Sequence, residues 1–101
     1  MNRLDGNYNA LHLAAFLNNH PFIDLLMKLG ADCRLKNKKG LGVMHFAAGG
    51  EALYALTYFK NEAISINEKD SEGNGPLHHA AMKGRALALY FLIGWNADLD
   101  A

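Results

Sequence analysis

Apolar residues fall into short blocks separated by polar loops, and the arrangement of these blocks repeats along the chain of 101 residues. Polar loops lie around residues 32–42 and 65–75, and Asn18 and Gly84 interrupt the apolar stretches. Both residue types tolerate the left-handed backbone conformation in which helices often end, so we expect positive φ at these two positions. The pattern predicts pairs of short helices, each pair followed by a polar loop.

The clearest regularity is a period of 33 residues in the histidines. His12, His45 and His78 each follow a large apolar residue and precede an Ala-Ala pair, and these pairs stand at 14–15, 47–48 and 80–81. Gly40 and Gly73 share the same period. Because the chain contains only 5 histidines, three of them in phase with three alanine pairs indicate an internal repeat.

The phased segments read Asn-Ala-Leu-His-Leu-Ala-Ala, Gly-Val-Met-His-Phe-Ala-Ala and Gly-Pro-Leu-His-His-Ala-Ala. Together with Gly30-Ala31-Asp32, they resemble the ankyrin repeat, a unit of about 33 residues with the signature Thr-Pro-Leu-His-x-Ala. The resemblance implies an all-α solenoid of three helix-turn-helix units with projecting β-hairpin loops. We expect residues 1–101 to form a single domain, with repeats at about 5–37, 38–69 and 70–101.

The residue types at the expected helix ends suit this architecture. Asn9, Gly42 and Gly75 stand at the N-caps of the inner helices. Pro76 suits a first helical position, because its missing N–H is not needed there. The expected helices are the inner ones at about 10–17, 43–50 and 76–83 and the outer ones at about 21–29, 53–61 and 86–94. We expect Gly30 and Asn96 to end their outer helices in a left-handed conformation.

The second unit departs most from the pattern. Gly49-Gly50 falls where its inner helix should end, and Glu51 stands in place of the expected glycine. Ala63-Ile64-Ser65 replaces the Gly-Ala-Asp triplet, and Lys60 replaces a leucine. We therefore expect a local shift or a frayed turn at the end of this outer helix.

The histidines raise the possibility of a metal site, which their spacing disfavours. His12, His45 and His78 occupy equivalent places in units whose helices pack ~8–10 Å apart, whereas zinc holds each nitrogen ligand at about 2.0–2.1 Å. The family resemblance implies that these rings are structural and bond to backbone of neighbouring loops. His79 points about 100° away from His78 on a helix, and His20 is expected at a helix N-cap. We expect no metal and no cofactor.

The sequence contains no motif of a known catalytic site. It lacks a phosphate-binding glycine loop, a His-Glu-x-x-His pair and a Gly-x-Ser-x-Gly turn. Cys33 lies beside Arg34 and Lys36, which could lower the pKa of its thiol, although a packing role is the simpler interpretation. We expect no enzymatic activity.

Composition and charge exclude further classes of function. Ten basic and ten acidic residues cancel, which argues against a dedicated nucleic-acid binder. The longest apolar run, residues 86–93, is much shorter than the ~18 residues of a membrane span, so we expect no membrane insertion. A single cysteine is consistent with a reducing compartment, and we expect a cytoplasmic, intracellular protein.

Residues at fixed offsets from the phased histidines are candidates for partner binding. In the ankyrin family, the hairpin tips and the exposed face of the inner helices meet the ligand. The resemblance assigns this role to Tyr8, Phe16, Leu17, Lys38, Lys39, Leu41, Ser71, Glu72, Asn74, Met82 and Lys83. The apolar members would provide surface that can anchor a partner, unless they pack within the stack. Residues 34–39 carry four cations in six positions, either steering an acidic partner or forming an ordinary solvated loop.

Three functions fit these observations. The first is a scaffold that binds a protein partner through its concave face. The second is a regulatory or substrate-recruiting arm of a larger protein, such as a channel or a membrane palmitoyltransferase. The third unit is similar to the ankyrin arms of palmitoyltransferases, but their Asp-His-His-Cys cluster is absent. The third function is self-association through the uncharged residues 86–94, with Leu89 and Leu92 as candidate contacts.

Overall fold

Three successive helix pairs make up the part of the chain that the structure, a computed structural model, describes, residues 9–95. The helices are α1 Ala10–Phe16, α2 His20–Lys28, α3 Val43–Gly49, α4 Leu53–Asn61, α5 Pro76–Met82 and α6 Ala86–Gly94. Residues 9–95 contain no β-strand among these elements. The all-α prediction is confirmed, and every helix boundary lies within one residue of its expected position.

The helices form two layers, with α1, α3 and α5 side by side and α2, α4 and α6 behind them. The inner layer packs closely because its facing positions are alanines. Ala15 and Ala48 are completely buried, whereas the equivalent Ala81 is exposed at the C-terminal face of the stack. Behind the inner layer, Leu56 and Phe59 of α4 are completely buried in the middle of the core.

The reversals between inner and outer helices use left-handed residues, as expected. Asn18, Glu51 and Gly84 have φ of 55°, 53° and 68°. The side chain of Asn18 also accepts a hydrogen bond from the backbone N–H of Ala55, at 3.2 Å. Because this bond joins the first reversal to α4, the turn also fixes the second pair of helices against the first.

The expected shift or frayed turn at the end of α4 is wrong. Ala63 adopts a φ of 67° and takes the role that Gly30, with a φ of 90°, has after α2. The next residue, Ile64, is buried, and its N–H donates to the carbonyl of Phe59 at 3.1 Å. Burial of this isoleucine holds the helix end in register, although an alanine is strained at positive φ.

The expectation that His20 caps α2 is also wrong. The N-cap is Asn19, whose side chain accepts a hydrogen bond from the N–H of Phe22 at 3.3 Å. His20 is the first residue of the helix, and its ring stacks on Tyr54 of α4, with centroids 3.7 Å apart. Asn96, the other expected helix end, lies outside the described residues.

The two long loops project as tight turns joined to each other by a backbone hydrogen bond. In the first, the side chain of Asn37 accepts from the N–H groups of Lys39 and Leu41, both at 2.9 Å. Asp70 plays the same part in the second. The N–H of Ser71 then donates to the carbonyl of Lys39 at 2.8 Å. The predicted hairpins are therefore tight turns, without strands in the described residues.

Across residues 9–95, no helix combines the length and the apolar character needed to cross a lipid bilayer.

Candidate functional site

The phased histidines fix the starts of the inner helices. Nδ1 of His45 accepts a hydrogen bond from the N–H of Gly42 at 3.0 Å, and Nε2 lies 3.2 Å from the carbonyl of Asn74. His12 does the same with Asn9 and with Leu35 in the following loop. Since one ring nitrogen accepts and the other faces a carbonyl, each ring is neutral with its proton on Nε2.

Burial keeps these two rings uncharged. Desolvation lowers the pKa of His12, and for His45 desolvation together with the nearby ring of His79 lowers the pKa from 6.5 to about 4. Within residues 9–95, no three His, Cys, Asp or Glu side chains converge on a position that could hold a metal ion. The described bonds of His12 and His45 are instead those of residues that join a helix to a loop.

A concave notch of about 470 Å³ lies on the inner face of the stack, between α1, α3 and α5. Its lining consists of Leu13, Phe16, Leu41, His45, Phe46, Gly49, His79 and Lys83, which we call the notch. The walls are mainly apolar, and the ring of Phe46 stacks on His12 with centroids 4.9 Å apart. A preformed apolar concavity of this size, with a few polar groups, is typical of a binding site.

The notch brings together three of the residues predicted to bind a partner. Phe16 contributes from α1, Leu41 from the first loop and Lys83 from the end of α5. Two further predicted residues, Leu17 and Met82, are not part of the lining of the notch. Both side chains are highly exposed, at 60% and 64%. These side chains extend the exposed apolar surface beyond the notch.

The remaining predicted residues lie on or near the loop tips. Lys38, Lys39, Ser71 and Glu72 are exposed there, outside the lining of the notch. Asn74 is half-buried, and its carbonyl faces the ring of His45. Tyr8 lies outside the described residues.

Leu13, Phe46 and His79 are among the lining residues that the sequence prediction did not assign to partner binding. Each directly follows a phased histidine, so the period of 33 residues contained the signal that could have found them. The offsets used for the prediction covered the tips and the helix ends. They left out the position one residue after the histidine, which lines the notch in all three inner helices.

A side-chain hydrogen bond at the wall of the notch connects α5 to the second loop. Nε2 of His79 lies 2.9 Å from Oδ2 of Asp70, whose side chain is only 6% exposed. Burial by itself would raise the pKa of Asp70, but hydrogen bonds from the N–H of Asn74, from His79 and from the N–H of Glu72 lower the pKa below its ordinary value. This carboxylate is therefore occupied by internal bonds.

Cys33 does not have the environment of a reactive thiol. It is buried, and burial raises the pKa of its thiol despite the neighbouring Arg34. The expected possibility of a lowered pKa is wrong, because desolvation outweighs the charge of the arginine. Its position favours the packing role.

The four cations of residues 34–39 fall into two groups. Arg34 donates to the carbonyl of Glu62 at 3.1 Å, and Lys36 lies 3.7 Å from the carboxylate of Glu68. These two tie the loop to the second unit. Lys38 and Lys39 are exposed at the tip, and their charge is directed to solvent.

The C-terminal face of the stack exposes a second apolar surface on α6. Leu87, Tyr90 and Ile93 are 55%, 75% and 53% exposed. Leu92 is completely buried and Leu89 is half-buried against the core. The sequence analysis named Leu89 and Leu92 as candidate contacts for self-association. The prediction for Leu92 is wrong, because its side chain faces inward.

Comparison with known proteins places these features in a family. A family model described as ankyrin repeats, in three copies, matches residues 5–101. The Nuclear factor NF-kappa-B p105 subunit of Rattus norvegicus is 30% identical over 94 residues, which cover 90% of this chain and 10% of that protein.

Two further relatives align over almost the whole chain. Transient receptor potential cation channel subfamily A member 1 of Drosophila melanogaster is 33% identical, covering 96% of this chain and 9% of the channel. SH3 and multiple ankyrin repeat domains protein 2 of Homo sapiens is 30% identical, covering 98% of this chain and 5% of that protein. The chain thus spans a tenth or less of the length of these three relatives.

Proposed function

The chain belongs to the ankyrin-repeat family, and from this membership we propose that it recognises a protein partner through the notch and the adjoining loop tips. Ankyrin repeats are generally protein–protein interaction modules, and the family is typically non-catalytic. The observation that carries the proposal is the notch itself, an apolar concavity formed jointly by three inner helices. We also propose that residues 1–101 bind this partner as one intracellular domain of three repeats.

The polar groups at the notch support recognition rather than catalysis. His45 is bonded on both ring nitrogens, and His79 and Asp70 are bonded to each other. A general base or nucleophile must be able to reach a substrate, and these bonds engage the groups internally. The exposed apolar side chains of Leu17 and Met82 around the notch suit a partner's surface.

Affinity capture with matched variants tests this function. The 101-residue chain is immobilised beside a triple variant, Lys38→Ala, Lys39→Ala and Phe16→Ala, and bound proteins are identified by mass spectrometry. The control carries Leu25→Ala and Leu29→Ala, two exposed leucines of the outer layer, the first in α2 and the second directly after it. We expect the control to retain the partners of the unmodified chain and the triple variant to lose them. Retention of the same partners by the triple variant would show that this face is not the binding surface.

Single substitutions in the notch should weaken binding without weakening the fold. Phe16 is 37% exposed and Leu41 is half-buried, so replacing either with alanine removes little core packing. We expect Phe16→Ala and Leu41→Ala to change the free energy of unfolding by under ~1 kcal/mol, and to reduce partner binding. Urea unfolding followed by circular dichroism gives the first quantity. A loss of several kcal/mol would mean that these side chains belong to the core.

A second function, as the recruiting arm of a larger protein, is favoured by the extent of the alignments. Each of the three relatives is at least ten times as long as the matched region, and one of them is named as a cation channel. An antibody against this chain would distinguish the two functions in a lysate of the source cells. A band well above 11.1 kDa supports the larger protein, and a band at that mass supports the isolated module.

Self-association is the third proposal, and it rests on the exposed side chains of α6. We expect concentration-dependent association in sedimentation velocity, weakened by Tyr90→Lys or Ile93→Lys, because a charge placed on an apolar contact opposes its burial. Leu92→Lys would instead unfold the chain, since this leucine is completely buried. Thr57→Lys on α4, also exposed, controls for added charge. A monomer at all concentrations would contradict the proposal.

A further inference from the structure

The notch owes its depth to a residue that departs from the repeat. Gly49 stands where α1 has Phe16 and α5 has Met82, so the middle of the inner face carries no side chain. A Cβ built on Gly49 would meet methylene carbons of Lys83 at 3.7 and 3.9 Å. These are ordinary contacts with a flexible side chain. Gly49 is buried beneath these methylene groups, so a side chain from another molecule would reach the floor of the notch by displacing the end of Lys83.

Lys83 places a positive charge at the rim of the notch. Lys83 lies with its methylene groups beside Gly49, and its residue is exposed. Among residues 9–95, no carboxylate lies within ion-pairing distance of its ammonium group. Asp70, the acid at the wall, is held by His79 and is nearly buried. The charge offered to an incoming segment at this wall is therefore that of the lysine.

The loop that supplies one wall of the notch adds charge of the same sign. Leu41 lines the notch, and Lys39 lies two residues before it at the exposed tip, next to Lys38. The Asn37 side chain binds the N–H groups of Lys39 and Leu41, which fixes the tip relative to the wall. Apolar surface is thus flanked by cations from two separate elements.

We propose that the notch accepts one large apolar side chain from a protein segment in which acidic residues flank that side chain. The apolar side chain is buried on Gly49 between Phe16 and Phe46, and Lys83 and the tip lysines pair with the flanking carboxylates. This inference rests on the proposed function, since it names the chemistry of the partner at the same site. Buried aromatic anchors supply most of the affinity in such contacts, and rim charges select and steer the partner.

Three synthetic peptides test the proposal by NMR titration of the isotopically labelled 101-residue chain. The first is acetyl-Gly-Ser-Glu-Asp-Trp-Leu-Glu-Asp-Ser-Gly-amide. The second replaces its acids with the corresponding amides, and the third replaces Trp-Leu with Ala-Ala. We expect the first to shift the amide signals of Phe46 and Gly49, and to bind about tenfold more tightly than either control at 0.15 M salt.

Two variants separate the roles of space and charge. Gly49→Leu places a side chain on the floor of the notch, where its Cβ meets only methylene carbons of Lys83. This variant should weaken binding of the first peptide by at least about tenfold. Lys83→Gln keeps the shape and removes the charge, and it should reduce the preference over the amide peptide to about threefold. Circular dichroism of both variants establishes that they remain folded.

Three results would overturn the proposal: equal binding of the acidic and amide peptides, unchanged binding by Gly49→Leu, or no shift of notch signals at millimolar peptide. If these occur while the triple alanine variant still loses its captured partners, protein recognition stands and only the partner chemistry is wrong. If the triple variant also keeps its partners, the proposed function fails as well.

Discussion

Replacing Gly50 with alanine is expected to destabilise the chain by about 2–4 kcal/mol. Gly50 follows α3 and lies directly against the C-terminal end of α1. A Cβ at this position would clash with the backbone carbonyl oxygen of Phe16, and it would also lie 3.0 Å from Cδ1 of the Phe16 ring. A backbone atom cannot move aside as a side chain can, so the first and second units would have to separate. The loss should appear as a lower urea midpoint with an unchanged slope.

Gly49→Ala is the matched control for this prediction. It changes the neighbouring residue by the same methyl group, but the new Cβ meets only methylene carbons of Lys83, the closer at 3.7 Å. Because Gly49 is the last residue of α3, alanine also gains helix propensity, worth up to about 1 kcal/mol. We expect Gly49→Ala to be neutral or slightly stabilising. Equal effects of the two substitutions would mean that α1 does not approach Gly50 as closely as described.

This pair of glycines illustrates which parts of the fold could be predicted from sequence. The helix ends could, because their signals are local: Asn9 binds the N–H of His12 three residues away, and Pro76 begins α5. The separate roles of Gly49 and Gly50 could not. One opens the notch and the other admits the end of α1, and this difference depends on the distance between two helices.

The candidate site could be predicted only in part, because some of its contacts depend on how distant segments pack together. The family resemblance assigned Phe16, Leu41 and Lys83 to partner binding, and all three line the notch. The hydrogen bond between Asp70 and His79 depends on how the second loop folds back over α5, which no local pattern in the sequence indicates. Similarly, Ala63 gives no sequence signal for positive φ. Its conformation follows from the burial of the next side chain.

Acidification should remove the stabilisation that depends on neutral His45. The pKa of this ring is about 4 in the folded chain and 6.5 in its ordinary state, because the ring is desolvated and faces the ring of His79. Backbone hydrogen bonding with Glu68 and Asn74 and the more distant carboxylate of Asp70 raise the pKa of His45, but they do not outweigh burial. The unfolded chain therefore takes up the proton first as the pH falls.

The sign of the effect follows from this order of protonation. The contribution of His45 is fully present above pH 6.5 and is lost as the pH falls from 6.5 to about 4. We expect a loss of about 2–3 kcal/mol over this range from this residue. The measurement is the free energy of unfolding by urea at a series of pH values from 7.5 to 4.5.

His45→Gln isolates this contribution from those of the other histidines. Glutamine can still hydrogen-bond near Gly42 but does not titrate, and we expect it to cost about 1–3 kcal/mol at pH 7.5, because the ring's bonds to two loops are imperfectly replaced. His12, whose pKa is also lowered by burial, contributes equally to both proteins. The difference in stability between the unmodified chain and His45→Gln should therefore shrink steadily towards pH 4.5. A constant difference across this range would show that His45 is not held neutral by the fold, and that its bonds to Gly42 and Asn74 do not depend on its protonation.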